Sequence, residues 1–183
     1  MTIKLRRGFK TEAEQLAVEI RQDLGLDVDS PLCPWKLAEH LSIEIHTLGS
    51  ICDREPNAYS YLSTVGREYF SAVTLFGGST GNIRVIYHNE FHALPRQRSN
   101  LAHELAHAIL LHTPTEIFCC DPTAEEEAKW LGPALLVPRA AAVRLAINRV
   151  SPSAAAETYG VSVDLMRMRL NVTGAIRIAS RSA

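Results

Sequence analysis

The sequence predicts an α+β fold: helices gathered on one small, mainly antiparallel sheet in a domain covering residues 1–150, with a short helical extension, 151–183, packed on it. Three observations predict it. Apolar residues recur at helical spacing near the N-terminus and beyond residue 100. Between 57 and 92 they alternate within a β-rich composition. The apolar stretch 101–112 is longer than an ordinary strand. At 183 residues, 46% hydrophobic and 21% charged, the chain has the size and composition of a single globular domain, which excludes a disordered or fibrous molecule.

The elements follow in order. Residues 11–24, TEAEQLAVEIRQDL, place Ala13, Leu16, Ala17, Ile20 and Leu24 on one helical face; Thr11 begins a Thr-x-x-Glu capping box and Gly25 supplies a stop. PWKLAEHL (34–41) starts with proline in the permitted first turn and leads into SIEIHTL, which alternates as a strand does. AYSYLSTV (58–65), YFSAVTLF (69–76) and IRVIYHN (83–89) read as strands, with GGSTGN (77–82) as the turn between the last two. The segment 101–112 reads as a helix because Pro114 lies just past its end, and 123–136 as another, with Glu125, Glu126 and Glu127 in its first turns, where carboxylates suit the helix dipole. Pro133 is expected to bend it. PRAAAVRLAINR precedes a tail of two short helices: Ser151 or Ser153 caps the first, Gly160 ends it and Ser162 caps the second, an outline like a helix-turn-helix.

A formal net charge of −1 provides no field that gathers phosphate backbones, so non-specific nucleic-acid binding is disfavoured. The N-terminus, MTIKLRRGFKTEAEQL, has no apolar signal region and no stretch reaches 18 consecutive apolar residues. No export, no membrane span and a cytoplasmic location are expected. Cys33, Cys52, Cys119 and Cys120 form no Cys-x-x-Cys pair and suit reduced thiols; the adjacent Cys119 and Cys120 would serve as soft metal ligands only if they were not small buried hydrophobes.

NLAHELAHAILLHTP (100–114) sets three histidines and a glutamate in an apolar run, where polar groups are costly unless something satisfies them. His103, Glu104 and His107 spell His-Glu-x-x-His, which puts both imidazoles one turn apart on one helix face, able to reach one ion. Glu104, beside them, can accept a proton from water without being a ligand. A catalytic zinc needs a third protein donor. His112, nine residues after His103, falls on the opposite side of an uninterrupted helix, and a metzincin pattern fails because Leu110 and Thr113 stand where glycine and histidine are required. The acidic run offers Glu125, Glu126 and Glu127. Glu127, followed by Ala128 and twenty positions beyond His107, is the first choice and Glu126 the second; the Glu-Ala step resembles that of thermolysin-like gluzincins.

RQRSNLAHELAHAILLH followed by EEEAKWLGPALLVPRAAA resembles the ImmA/IrrE family of zincin-like metallopeptidases: a basic, polar lead-in, His-Glu-x-x-His, a further histidine, then Glu-Ala and a Leu-Leu-x-Pro ending. AEQLAVEIRQDLGL and WKLAEHLSIEI look like its N-terminal helices, IRVIYHN like its edge strand, and YGVSVDLMRMRLNVTGA like its C-terminal element. Lys129 stands where the family usually has Asn or Asp, and Gly132-Pro133 replaces a pair of small residues. The resemblance implies a zinc-dependent endopeptidase of bacteria or phage, with His103, His107 and Glu127 holding zinc, Glu104 as general base, and a helix-turn-helix repressor as protein substrate. An extended peptide would lie along the strand at Ile86–Asn89. Tyr87, His88 and His112 are candidates to stabilise the transition state, though Tyr87 and His88 point to opposite sheet faces. Two rival readings follow from the same residues. One is a transcriptional regulator whose Arg167, Arg169, Arg177 and Arg181 touch DNA; the other is a partner-binding module of a phage or toxin–antitoxin switch with a non-catalytic metal.

Overall fold

The computed structural model describes residues 5–77, 83–112 and 121–181. Its elements run α1 (Phe9–Asp23), α2 (Pro34–His40), β1 (Glu44–Thr47), α3 (Pro56–Ser63), β2 (Ala72–Gly77), β3 (Ile83–His88), α4 (Leu94–Ile109), α5 (Pro122–Leu136), α6 (Arg139–Ile147), α7 (Pro152–Tyr159), α8 (Val163–Val172) and α9 (Ala175–Ala179). This is a mixed α+β architecture. Cys33 and Cys52 are free thiols, whereas Cys119, Cys120 and most of the expected turn at 77–82 lie outside the described residues. No single described helix is long and apolar enough to cross a membrane.

The first helix begins earlier than its capping pattern suggests. Its N-cap is Gly8, at φ +89, and makes no side-chain cap, so Thr11 lies within the first turn. Fully buried Phe9 explains the difference: seating its ring in the core draws the chain into the helix before Thr11. Ser151 and Ser162 do cap α7 and α8, accepting from the amides of Ala154 and Leu165.

Residues 58–63 belong to α3, not to a strand, and Thr64 and Val65 follow it in a turn. Pro56 starts the helix at a position where its missing N–H costs nothing, and Tyr59, Leu62, Ser63 and Gly66 form the less exposed side at spacings of three and four. The alternating Tyr59 and Tyr61 imitate a strand; Tyr61 is 60% exposed.

The sheet is ordered β1–β3–β2, with β1 parallel and β2 antiparallel to β3. It is therefore mixed rather than mainly antiparallel, because the chain crosses over through α3 and β2 before β3 pairs with β1. The strand expected at the edge, β3, is the central one, and its residues have no open side for a peptide. Among the described residues β2 has an unpaired outer edge. Thr74 and its partner Ile86 occupy the covered face, whereas Val73 and Leu75 are exposed on the other.

Helices α4 and α5 make the closest contact in the molecule's centre. Leu101, Leu105 and Ala106 of α4 pack with Ala128, Leu131 and Leu135 of α5 and with Phe9, Ala13 and Ala17 of α1. A Cβ at Gly132 would lie 3.1 Å from the carbonyl oxygen of Ala102 and 3.2 Å from the Cα of His103. Only a hydrogen fits comfortably between the two backbones there. A second cluster, containing Leu136, Val137, Leu145, Tyr159, Met166 and Leu170, joins the C-terminal helices to the end of α5.

Two buried arginines fasten these parts together. Arg21 donates to the carbonyls of Ala17, Ser30 and Leu135, and burial pulls its guanidinium down to about 10. Arg169 donates through Nε to the carbonyl of Val137 at 2.7 Å and through its terminal nitrogen to Glu14 at 2.5 Å. Arg169 is 1% exposed, so it does not offer its charge to a DNA phosphate, as the regulator reading required. Arg169→Met is expected to cost about 3 kcal/mol, the lower end of what breaking a buried pair costs, since Glu14 keeps some solvent. The urea midpoint measures this, and pairing the change with Glu14→Leu should recover much of the loss.

Candidate metal centre

The central residues of α4 carry the His-Glu-x-x-His sequence. Leu101, Ala102, Leu105 and Ala106 are buried, which fixes the helix about its axis and leaves His103 and His107 together on the flank facing the start of α5. Arg84 of β3 donates to the Ala108 carbonyl at 2.8 Å, satisfying a last-turn oxygen and placing a cation at the negative end of the helix.

The start of α5 supplies the third group. Asp121 caps it by accepting from the Thr123 amide at 2.8 Å. Glu125, Ala128 and Gly132 then form one stripe, at i, i+3 and i+7, and Gly132 presses on α4. The carboxylate of Glu125 is thereby brought to the two imidazoles. Nε2 of His107 lies 3.2 Å from Nε2 of His103. Glu125 places Oε2 3.4 Å from His103 Nε2 and Oε1 3.3 Å from His107 Nε2.

These separations fit a metal. Donors about 2.0–2.1 Å from a tetrahedral zinc stand about 3.3 Å from one another. Direct charge-assisted hydrogen bonds would be closer, about 2.7–2.9 Å. Three donors, His103, His107 and Glu125, all lie within 4.8 Å of one another and can hold one ion. Burial, reinforced by the neighbouring His103, holds His107 down at about 4, so its ring is neutral at pH 7 and a lone pair is available.

Glu104 lies beside the cluster and turns to the sheet, accepting a hydrogen bond from the Thr74 hydroxyl. Burial raises its carboxyl above the usual carboxylate range, against the opposing effects of Thr74 and His103. A carboxylate so placed is a stronger base than one in water.

The donor set differs from the expected one. Glu127, the first choice, faces the other flank of α5: Oε2 lies 3.3 Å from Nε2 of His112, and Oε1 accepts from Nε of Arg6 at 3.0 Å. Two residues along a helix turn a side chain by about 200°, so Glu125 and Glu127 cannot share a target. Glu126 pairs with Lys129 at 3.0 Å on the surface, which also accounts for Lys129. His112 is not on the far side of α4. The helix ends at Ile109, Leu111 takes φ +56, and the reversed chain lays His112 on His107, with their Nδ1 atoms 2.9 Å apart. Tyr87 and His88 meet other partners: Tyr87 stacks on His46 at 5.3 Å, and buried His88 stands edge-on to Trp35.

Thr74 and Arg6 carry no sequence signal that singles them out. Glu125 had one: its spacing to Gly132, the sole glycine of the helix, marks the stripe that meets α4.

Two imidazoles from one helix, a carboxylate from the next and an adjacent glutamate form a group compatible with metal binding on a His-Glu-x-x-His helix. The family model for the IrrE N-terminal-like domain, a peptidase family, matches residues 64–171, more than half of the chain. The chain belongs to this family, and its membership supports a metallopeptidase-type function. No curated protein and no solved structure matches it.

Proposed function

We propose that the protein is a zinc-dependent endopeptidase that cleaves a partner protein, a helix-turn-helix transcriptional repressor by the family resemblance. The convergence of His103, His107 and Glu125 beside Glu104 carries this reading. Two nitrogens and one oxygen are the donor set of thermolysin-type catalytic zinc. Zinc held there supplies a Lewis acid that polarises a carbonyl and makes water acidic.

The chain's own residues supply the rest. Glu104 takes a proton from the attacking water while the water oxygen bonds to the scissile carbonyl carbon. It then delivers that proton to the amide nitrogen, which leaves as an amine. Thr74 holds Glu104 by one oxygen, leaving the other for the proton. The open outer edge of β2, which carries Thr74, is the strand on which an extended substrate can pair, in place of β3. His112 is tied to His107 and Glu127, so it serves the ligand rather than the oxyanion.

Co-expression with helix-turn-helix proteins encoded beside it tests the proposal. A discrete cut is expected that disappears with a chelator and returns with zinc. Stable complexes without cutting would favour a partner-binding module instead.

A further inference from the structure

Behind His107 runs a line of polar contacts whose direction follows from which atoms can donate. The Nε2 of His107 faces His103 and Glu125, so as a ligand it presents a lone pair and carries its hydrogen on Nδ1. That hydrogen meets Nδ1 of His112 at 2.9 Å, which must accept, leaving the hydrogen of His112 on Nε2. Nε2 of His112 in turn faces Oε2 of Glu127 at 3.3 Å. The remaining oxygen of Glu127 accepts from Arg6, whose two terminal nitrogens bind Glu12. Every hydrogen points away from the metal-facing donors and toward a carboxylate anchored by an arginine.

The helix end shows how His112 comes to be there. Five helices close with a left-handed residue, Gly25, Ser42, Leu111, Arg149 or Gly160, followed by an amide that bonds the carbonyl five residues back. In four of them the residue after the left-handed one is Leu26, Ile43, Val150 or Val161, the aliphatic contact usual for this turn. At the end of α4 the same position is His112, its amide bonded to the His107 carbonyl at 3.0 Å and its ring on the His107 ring. An apolar clasp has become a polar one at the helix that carries the metal-facing histidines.

We infer that His112, Glu127 and Arg6 are positioning residues that hold His107 in its Nδ1–H form, with Nε2 free before any metal arrives. The inference rests on reading His103, His107 and Glu125 as a metal site. Partners that orient a ligating histidine typically govern affinity by about 10–100-fold.

The test measures cobalt(II) and zinc affinity of the full-length chain by chelator competition, and the His107 tautomer by nitrogen-15 NMR of the metal-free protein. His112→Phe, which keeps a ring but removes both nitrogens, should weaken metal binding by about 10–100-fold at unchanged stoichiometry and mix the His107 tautomers. Arg6→Gln, at a half-exposed residue, should weaken it several-fold. Because Arg6 acts only through His112, the double variant should bind no more weakly than His112→Phe alone. Affinity within about twofold of wild type and an unchanged tautomer in His112→Phe would overturn the inference, as would additive losses in the double variant. Should His112→Phe fail to fold, Arg6→Gln decides: unchanged affinity and unchanged His107 and His112 signals overturn it. A wild-type chain that binds no metal overturns the site reading as well, whereas tight wild-type binding indifferent to these variants overturns this inference alone.

Discussion

Glu104→Gln should slow peptide-bond hydrolysis by on the order of 10²–10⁴-fold, the contribution of a positioned general base, while metal uptake stays at the wild-type stoichiometry. The two measurements must be made together. Glutamine preserves the shape of Glu104 and its carbonyl can still accept from Thr74, so the fold at the sheet face is retained. What it lacks is the ability to take a proton from water. Metal analysis that matched wild type alongside full activity would remove Glu104 from the chemistry. Loss of metal as well would make it a structural support of the cluster.

Glu125→Ala should abolish stoichiometric metal binding, and Glu127→Gln should not. The separation follows from geometry: Glu125 touches both metal-facing nitrogens, while Glu127 touches His112 and Arg6. Removing a donor should therefore exceed the about 10–100-fold loss expected from disturbing a residue behind one. Dialysed protein analysed for metal, with a circular dichroism spectrum to show that each variant folds, gives the answer. The opposite order, with Glu127 indispensable and Glu125 dispensable, would return the third donor to the residue favoured by the Glu-Ala pattern.

The helices α1, α2, α4, α5, α7 and α8 were legible because each buries one face, and burial imposes the spacing from which a helix is read. Short α3 was not, since it has no fully buried residue and its tyrosines alternate. Pairing in the sheet was hidden for another reason. Strand order depends on how distant segments meet, and no local pattern distinguishes central β3 from an edge. Within the site, His103, Glu104 and His107 were readable because one helix brings them together. The carboxylate comes from a second helix whose rotation is set by packing at Gly132, and His112 depends on a chain reversal at the residue just before it, Leu111.

The tight crossing at Gly132 also bears on which ion is accepted. Glu125 lies two turns from that crossing, on a helix that the glycine lets come within direct backbone contact of α4. A methyl group at position 132 would require the neighbouring backbone to yield by a few tenths of an ångström. That is comparable with the difference between zinc–oxygen bonds, about 2.0–2.2 Å, and calcium–oxygen bonds, about 2.3–2.6 Å. On the proposed zinc site, the bulk of a side chain that never touches the ion would thus bear on the radius of the coordination sphere, and with it on cation selectivity.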